Sequence, residues 1–408
     1  MQKKPEIQTG QQLVPVVPTE QAEAPKRFKR QMMTIVQEYL EEKYHFRYDI
    51  ILNEIEFKPL NSTIWKIFKK ENLIVELAKT KMKLSDSKLN SLITSDFVPE
   101  HNPLKHYFES LPAWQPKYDA NGKIENDYIK QLSTFVKAKD TERFTKHFEK
   151  MLVRMIACAL NKDFNKQAFI LIGNQNDGKT SFLRFLCPPQ LKSYFAENIN
   201  PDDKDGYITL SQNFIINLDE LANLDKKDTN KIKSLMSVEV VNARKPYGTR
   251  VERMARIANF VGSTNEDTFL TDATGSVRWL CFEIDSIDFA YSAVNIDLVY
   301  SQAYALYKEG FEYKLTKEEI NENEGANASY QKITVEMELI QEHYEEDTEC
   351  NKTNFRTSTT ILTELTALTP IKLNANNIGK ALKQMKIKRK TERIEKEYPK
   401  KGYFLHRL

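Results

Sequence analysis

The sequence has 408 residues, 40% hydrophobic and 29% charged, with 60 Lys and Arg against 57 Asp and Glu for a net charge of +3. That is apolar material for about two to four packed domains, which excludes a wholly disordered chain, and so even a balance gives no global cue to a partner. Cys158, Cys187, Cys281 and Cys350 form no C-x-x-C pair, no apolar run reaches the roughly 18 residues that span a bilayer, and the N-terminus lacks an apolar signal core. A zinc site, a disulfide framework and a membrane anchor are therefore not expected, and the expected location is the cytoplasm.

In chain order, residues 1–27 are rich in Gln, Pro and Glu and are expected to form a disordered leader. Met32, Ile35, Val36, Tyr39 and Leu40 begin a helical pattern that recurs around residues 64–68, 73–78 and 84–93, predicting a helical N-terminal domain over 28–100. Residues 101–165 are expected as a helical collar and lead-in. It ends in a long helix at about 141–161 with Phe144, Phe148, Leu152, Met155 and Ile156 on one side. Apolar runs at 168–172, 214–218, 257–261 and 279–284 predict buried strands alternating with helices, an α/β core over 166–346.

The last segment, 347–408, has a different pattern. Helices at about 358–368 and 376–385 precede a basic turn and strand, the layout of a winged helix-turn-helix. From Lys380 onward eleven basic residues face three acids, Glu392, Glu395 and Glu397, an asymmetry that points to nucleic acid. Lys380, Lys383 and Lys386 are the candidate DNA contacts on the second helix. A solvated charged tail and a protein-docking module are the alternatives.

Gly173, Asn174, Gln175, Asn176, Asp177, Gly178, Lys179 and Thr180 match G-x-x-x-x-G-K-[ST], with a predicted strand before and a helix after. Such a loop turns backbone N–H groups toward phosphate; Lys179 reaches the β- and γ-phosphates, Thr180 supplies a hydroxyl for Mg²⁺, and Ser181 completes the cradle. The expected ligands are ATP and Mg²⁺. Asp219 and Glu220 follow a wholly apolar strand, where Asp219 would hold the metal and Glu220 would polarise the attacking water. Ser263-Thr264-Asn265 closes the next strand, and Asn265 at a strand's C-terminal end faces the crevice where ligands sit, unless it only forms a turn.

These blocks resemble the virulence-associated protein E family, P-loop proteins of bacterial mobile elements and phages akin to superfamily 3 helicases of the AAA+ class. The matching residues, over about 102–284, are Asn102-Pro103 with Leu111-Pro112, the phosphate loop, Asp219-Glu220, Arg244-Lys245-Pro246-Tyr247-Gly248, Gly262-Ser263-Thr264-Asn265 and Asp272-Ala273-Thr274-Gly275-Ser276-Val277-Arg278. Two departures stand out. Asn176 replaces a frequent glycine, though Asn tolerates positive φ, and Val277 leaves Arg278 as the one arginine after the Thr-Gly turn.

The resemblance implies a hexameric ring around DNA, with ATP sites between subunits and Arg278 reaching the neighbour's γ-phosphate. The alternative is an internal ion pair of Arg278 with Asp272. It also implies a pore hairpin within 238–257, whose Lys245 and Arg250 would touch the DNA backbone; an ordinary surface hairpin is the alternative. Relatives often carry an upstream primase domain, and no defensible cluster of metal-binding carboxylates is present here, so a separately encoded primase or initiator is an expected partner. The expected function is an ATP-dependent replicative helicase on single-stranded and forked DNA, in a bacterial host cell. The alternative is an ATP-controlled DNA-binding switch without unwinding.

Overall fold

The computed structural model describes residues 31–200, 204–219, 221, 226–244, 251–270, 276–393 and 398–408. The chain forms two compact units, one of residues 31–48 with Asn53–Glu100 and the other of Asp49–Leu52 with His101–Leu408. The expected leader, 1–27, lies outside the described residues.

The first unit holds helices α1 (Met32–Glu41), α2 (Lys70–Lys79) and α3 (Asp86–Ile93) and strands β1 (Tyr44–Asp49), β2 (Glu54–Pro59), β3 (Lys66–Ile67) and β4 (Glu100–His101). The strands make one sheet in the order β3-β2-β1-β4. The expectation of a helical N-terminal domain is corrected accordingly. Tyr44, Phe46 and Tyr48 alternate with polar residues, as do Ile55 and Phe57, which is the period of a strand. Asn53 takes φ 60° between them, a turn conformation that asparagine tolerates. Each alternation spans only six residues and is flanked by longer helical patterns, so the helical signal dominates the sequence. Phe46 packs with Val36, Leu40, Leu73, Leu77 and Leu89 as the core of this unit.

The second unit begins with α4 (Pro103–Ser110), α5 (Tyr128–Ser133), β5 (Val136–Ala138) and α6 (Thr141–Ala159). Its central elements are β6 (Ala168–Ile172), α7 (Lys179–Phe185), β7 (Phe195–Glu197), α8 (Lys204–Gln212), β8 (Ile215–Leu218), α9 (Lys226–Met236), β9 (Val240–Arg244), β10 (Val251–Ala255), β11 (Asn259–Thr264) and β12 (Trp279–Ile287), followed by α10 (Ile296–Lys308) and α11 (Lys317–Asn327). Six strands form a sheet in the order β5-β12-β6-β11-β8-β7. The five from β12 to β7 are parallel, and β5 is antiparallel to β12. The mixed α/β character follows the sequence reading. The edge strands β5 and β7 escape it, because three residues carry too little pattern.

Helix α6 buries the predicted apolar stripe and also Arg143, His147, Lys150 and Arg154. Buried cations need partners. Arg143 donates to the Cys281 carbonyl at 2.9 Å and to Asn323 Oδ1 at 2.8 Å. Lys150 and Lys146 both pair with Glu319 at 2.9 Å. Burial alone would raise the Glu319 pKa, but the two ammonium groups and the Thr316 N–H hold it at about 2. Asn323 and Asn327 donate to the Trp279 carbonyl, so α11 is tied to the start of β12.

The C-terminal part comprises α12 (Val335–His343), β13 (Tyr344–Glu346), β14 (Phe355–Arg356), α13 (Ser358–Thr366), α14 (Ala375–Gln384), β15 (Lys390–Glu392) and β16 (Lys400–Arg407). Strand β16 pairs antiparallel with β13, β14 and β15. Ile361, Leu365, Ile378, Leu382, Tyr403 and Leu405 form its core, joined by Ile340 and Tyr344 from ahead of residue 347, because α12 packs as part of this cluster. No helix among the described residues is long and apolar enough to cross a membrane.

Candidate functional site

Three parallel strands end side by side. In register, Ile172 of β6 lies beside Thr264 of β11, and Gly262 of β11 beside Leu218 of β8. The three segments that follow the strand ends therefore converge: the loop 173–178, Asp219, and Asn265. The insertion of β11 between β6 and β8 brings Ser263 within reach of both neighbours. Gly262 permits the close approach, since a Cβ there would lie 2.7 Å from the Leu218 carbonyl. These segments line a cleft of about 350 Å³ that includes Gln175–Ser181, Asp219, Ser263, Thr264, Asn265 and Glu266.

The loop's geometry follows from two left-handed residues, Asn176 at φ 71° and Gly178 at φ 83°. Gly178 caps the N-terminus of α7 without a side-chain bond. Lys179 is only 5% exposed and donates to the carbonyls of Gly173 (2.8 Å) and Asn174 (2.5 Å). Burial pushes its pKa down, against the pull of Asp177 and Asp219. Phosphate oxygens are charged and make stronger acceptors for this ammonium than neutral carbonyls. Asp177 Oδ2 is buried without a hydrogen-bond partner.

Asp219 Oδ1 is the meeting point of the site. It accepts from Ser263 Oγ at 2.7 Å and Thr180 Oγ1 at 3.1 Å, and the two hydroxyls lie 3.3 Å apart. One carboxylate with a hydroxyl, completed by phosphate oxygens and water, is a hard-oxygen set of the kind Mg²⁺ takes. Thr180 and Asp219 thus fit the ion in ligand chemistry. Among the described residues no group of three or more His, Cys, Asp or Glu could hold a metal by itself.

The Asp219 backbone N–H donates to Asn198 Oδ1 at 3.0 Å, and Asn198 takes φ 61°. Sequence reasoning misses Asn198 and underweights Ser263. Asn198 follows β7, which has no visible strand signal, while Ser263 is in the quoted block but lacks the charge that draws notice.

The remaining candidates fall elsewhere. Glu220, Lys245 and Arg250 lie outside the described residues, as does Asp272. Strands β9 and β10, where the hairpin is expected, pair antiparallel from Val251↔Arg244 to Ala255↔Val240, and the residues between them lie outside the described ones. The base of this pair joins the N-terminal end of β11, so it stands at the sheet edge opposite the cleft. Arg256, just past β10, is 3% exposed and donates to the Met236 carbonyl at 2.6 Å, with Phe164 and Phe260 against its guanidinium.

Arg278 also stands at that opposite edge. Trp279, its neighbour, pairs with Ala168, and Glu283 pairs with Ile172, so roughly 13 Å of strand separates Trp279 from the cleft level, and Arg278 lies beyond it. Its Nε donates to Ser237 Oγ at 3.2 Å. Lys380, Lys383 and Lys386 are exposed on and just beyond α14, while Ile378 and Leu382 of the same helix are buried. The cleft therefore gathers the loop, Lys179, Thr180, Ser181, Asp219 and Asn265, and the structure keeps Arg278 and the lysines apart from it.

No curated protein matches this sequence. Among solved structures, the apo structure of the NrS-1 C-terminal region is similar at TM-score 0.50 and 12% identity, covering 93% of this chain and 100% of that one. Its A-form apo structure is similar at TM-score 0.49, with the same identity and coverage. At that identity the first likeness speaks to the fold alone. The virulence-associated protein E-like domain model matches residues 117–332, more than half of the chain and the whole of the cleft. By that match the protein belongs to the virulence-associated protein E-like family.

Proposed function

We propose that this protein is a Mg²⁺-dependent ATPase of a mobile genetic element, a superfamily 3-like AAA+ motor that moves on single-stranded DNA during replication. One observation carries the reading: Thr180, Asp219 and Ser263, from three strand ends, meet within hydrogen-bonding distance beside a glycine-bounded loop and its buried lysine. In this reading Lys179 leaves the loop carbonyls for the phosphates, Thr180 and Asp219 hold Mg²⁺, and Asn265 positions water. Glu220, next to Asp219, takes the water's proton as attack begins. Bound Mg²⁺ would neutralise charge on the β- and γ-phosphates.

In this reading the sheet couples the ATP site to DNA. Strand β11 begins at the hairpin base and ends at Thr264, next to Asn265, so in this reading a shift at its C-terminal end would pass along the strand to the hairpin. Arg278, across the sheet from its own cleft, suits action on the site of a neighbouring subunit in a ring. The C-terminal helices and β15–β16 are read as a winged helix, with α14 toward DNA. A strand-displacement assay on a forked substrate tests the proposal. ATP-dependent displacement by the wild type, absent in Lys179→Ala, supports the motor; ATP-dependent DNA binding without displacement identifies a switch instead.

A further inference from the structure

The proposed triphosphate site leaves open what holds the base, and the groove has a direction that locates it. The metal end is fixed by Thr180, Asp219 and Ser263. A nucleotide laid with its γ-phosphate there leaves the loop past Gly178 and Ser181. Ser181 lines both this cleft and a second one of about 570 Å³, bounded by Arg184, Phe185, Tyr291 and Asn295. The first turn of α7 thus lies between the end of β11 and the segment after β12.

An aromatic ladder stands at this junction. Phe182 and Phe185 of α7 meet Tyr291 edge-on, with ring centroids 5.2 and 5.0 Å away, and Tyr291 is 6.2 Å from Phe289. The first three rings are anchored in the fold. Phe289 is 58% exposed, yet it presses on the loop itself: a Cβ at Gly178 would lie 2.9 Å from its ring. The ring thus stands largely exposed beside the phosphate-loop glycine, where a planar ligand held by the loop could meet it. Its position is fixed by a short 3-10 turn, Phe289–Ala293, capped by Asp288.

We propose that Phe289 is the base platform of the nucleotide site, stacking on the nucleobase while the loop holds the phosphates. This rests on the ATP-binding reading given above. Stacking accepts any base face, so Phe289 supplies affinity for nucleotides over bare polyphosphate, without reading base identity.

Titration of the full-length protein with Mg·ATP and, separately, with inorganic tripolyphosphate and Mg²⁺ tests the idea. In the wild type both ligands should bind, ATP more tightly. Phe289→Ala should weaken ATP roughly ten-fold or more and leave tripolyphosphate unchanged, and Phe289→Trp should restore ATP. An unchanged ATP affinity in Phe289→Ala overturns the platform, as does an equal loss for both ligands, which would mean that the ring only shapes the loop. A wild type that binds neither ligand overturns the ATP reading itself, and the platform with it.

Discussion

Thr180, Asp219 and Ser263 are far apart in sequence, sit on three segments and meet within hydrogen-bonding distance. Lys380 and Lys383 lie on one helix, close in sequence, and stand exposed. The contrast separates two kinds of site. Under the proposed function the first is built for chemistry that needs closely placed groups, at the ends of parallel strands and beside the buried Lys179. The second, if it meets a phosphate backbone as proposed, needs only charge on one face, which a helix supplies by its period.

The sharpest break in that comparison comes from removing chemistry without removing charge pairing. Glu220→Gln should lower ATP turnover about 10²–10⁴-fold while sparing ATP binding, as measured by steady-state hydrolysis and calorimetry. Turnover near wild type would take Glu220 out of the water-activating role. Arg278→Ala should cost about 10³-fold in turnover if the guanidinium acts on a neighbour's phosphate. Mixing Arg278→Ala with Lys179→Ala should then restore part of the activity, because some interfaces pair an intact loop with an intact arginine. No rescue, with subunit exchange verified, would assign Arg278 to its bond with Ser237 alone.

Smaller effects belong to the C-terminal region. Leu382→Ala opens a cavity among Ile340, Ile361 and Leu405 and should destabilise that cluster by about 2–5 kcal/mol. ATP turnover should persist below the new transition, as read by calorimetry and hydrolysis on one sample. Loss of both together would mean that the two regions fold as one cooperative unit. Lys380→Ala with Lys383→Ala should lower DNA affinity evenly across sequences and flatten its salt dependence by about two units of slope, one for each lost phosphate contact. An unchanged slope would place DNA elsewhere.

The same contrast explains what the sequence discloses. The loop is legible because its glycine, lysine and threonine are contiguous and its strand is five apolar residues long. Asp219 is legible because an acid after an apolar run is conspicuous. Asn198 and Phe289 are not, since each gains meaning only from a neighbour distant in sequence, the Asp219 N–H in one case and Gly178 in the other. The first unit's sheet is hidden because its short strands alternate apolar with polar residues between longer helical patterns, whereas β6 is apolar throughout.

The central claim is that the cleft at the ends of β6, β8 and β11 binds and hydrolyses Mg·ATP. Calorimetric titration with Mg·ATP, followed by phosphate release on the same samples of wild type and Lys179→Ala, tests it most directly. One nucleotide per chain and Mg²⁺-dependent turnover are expected in the wild type, with binding weakened and turnover lost in Lys179→Ala. Equal binding and turnover in the two proteins, or no binding by the wild type, would contradict it.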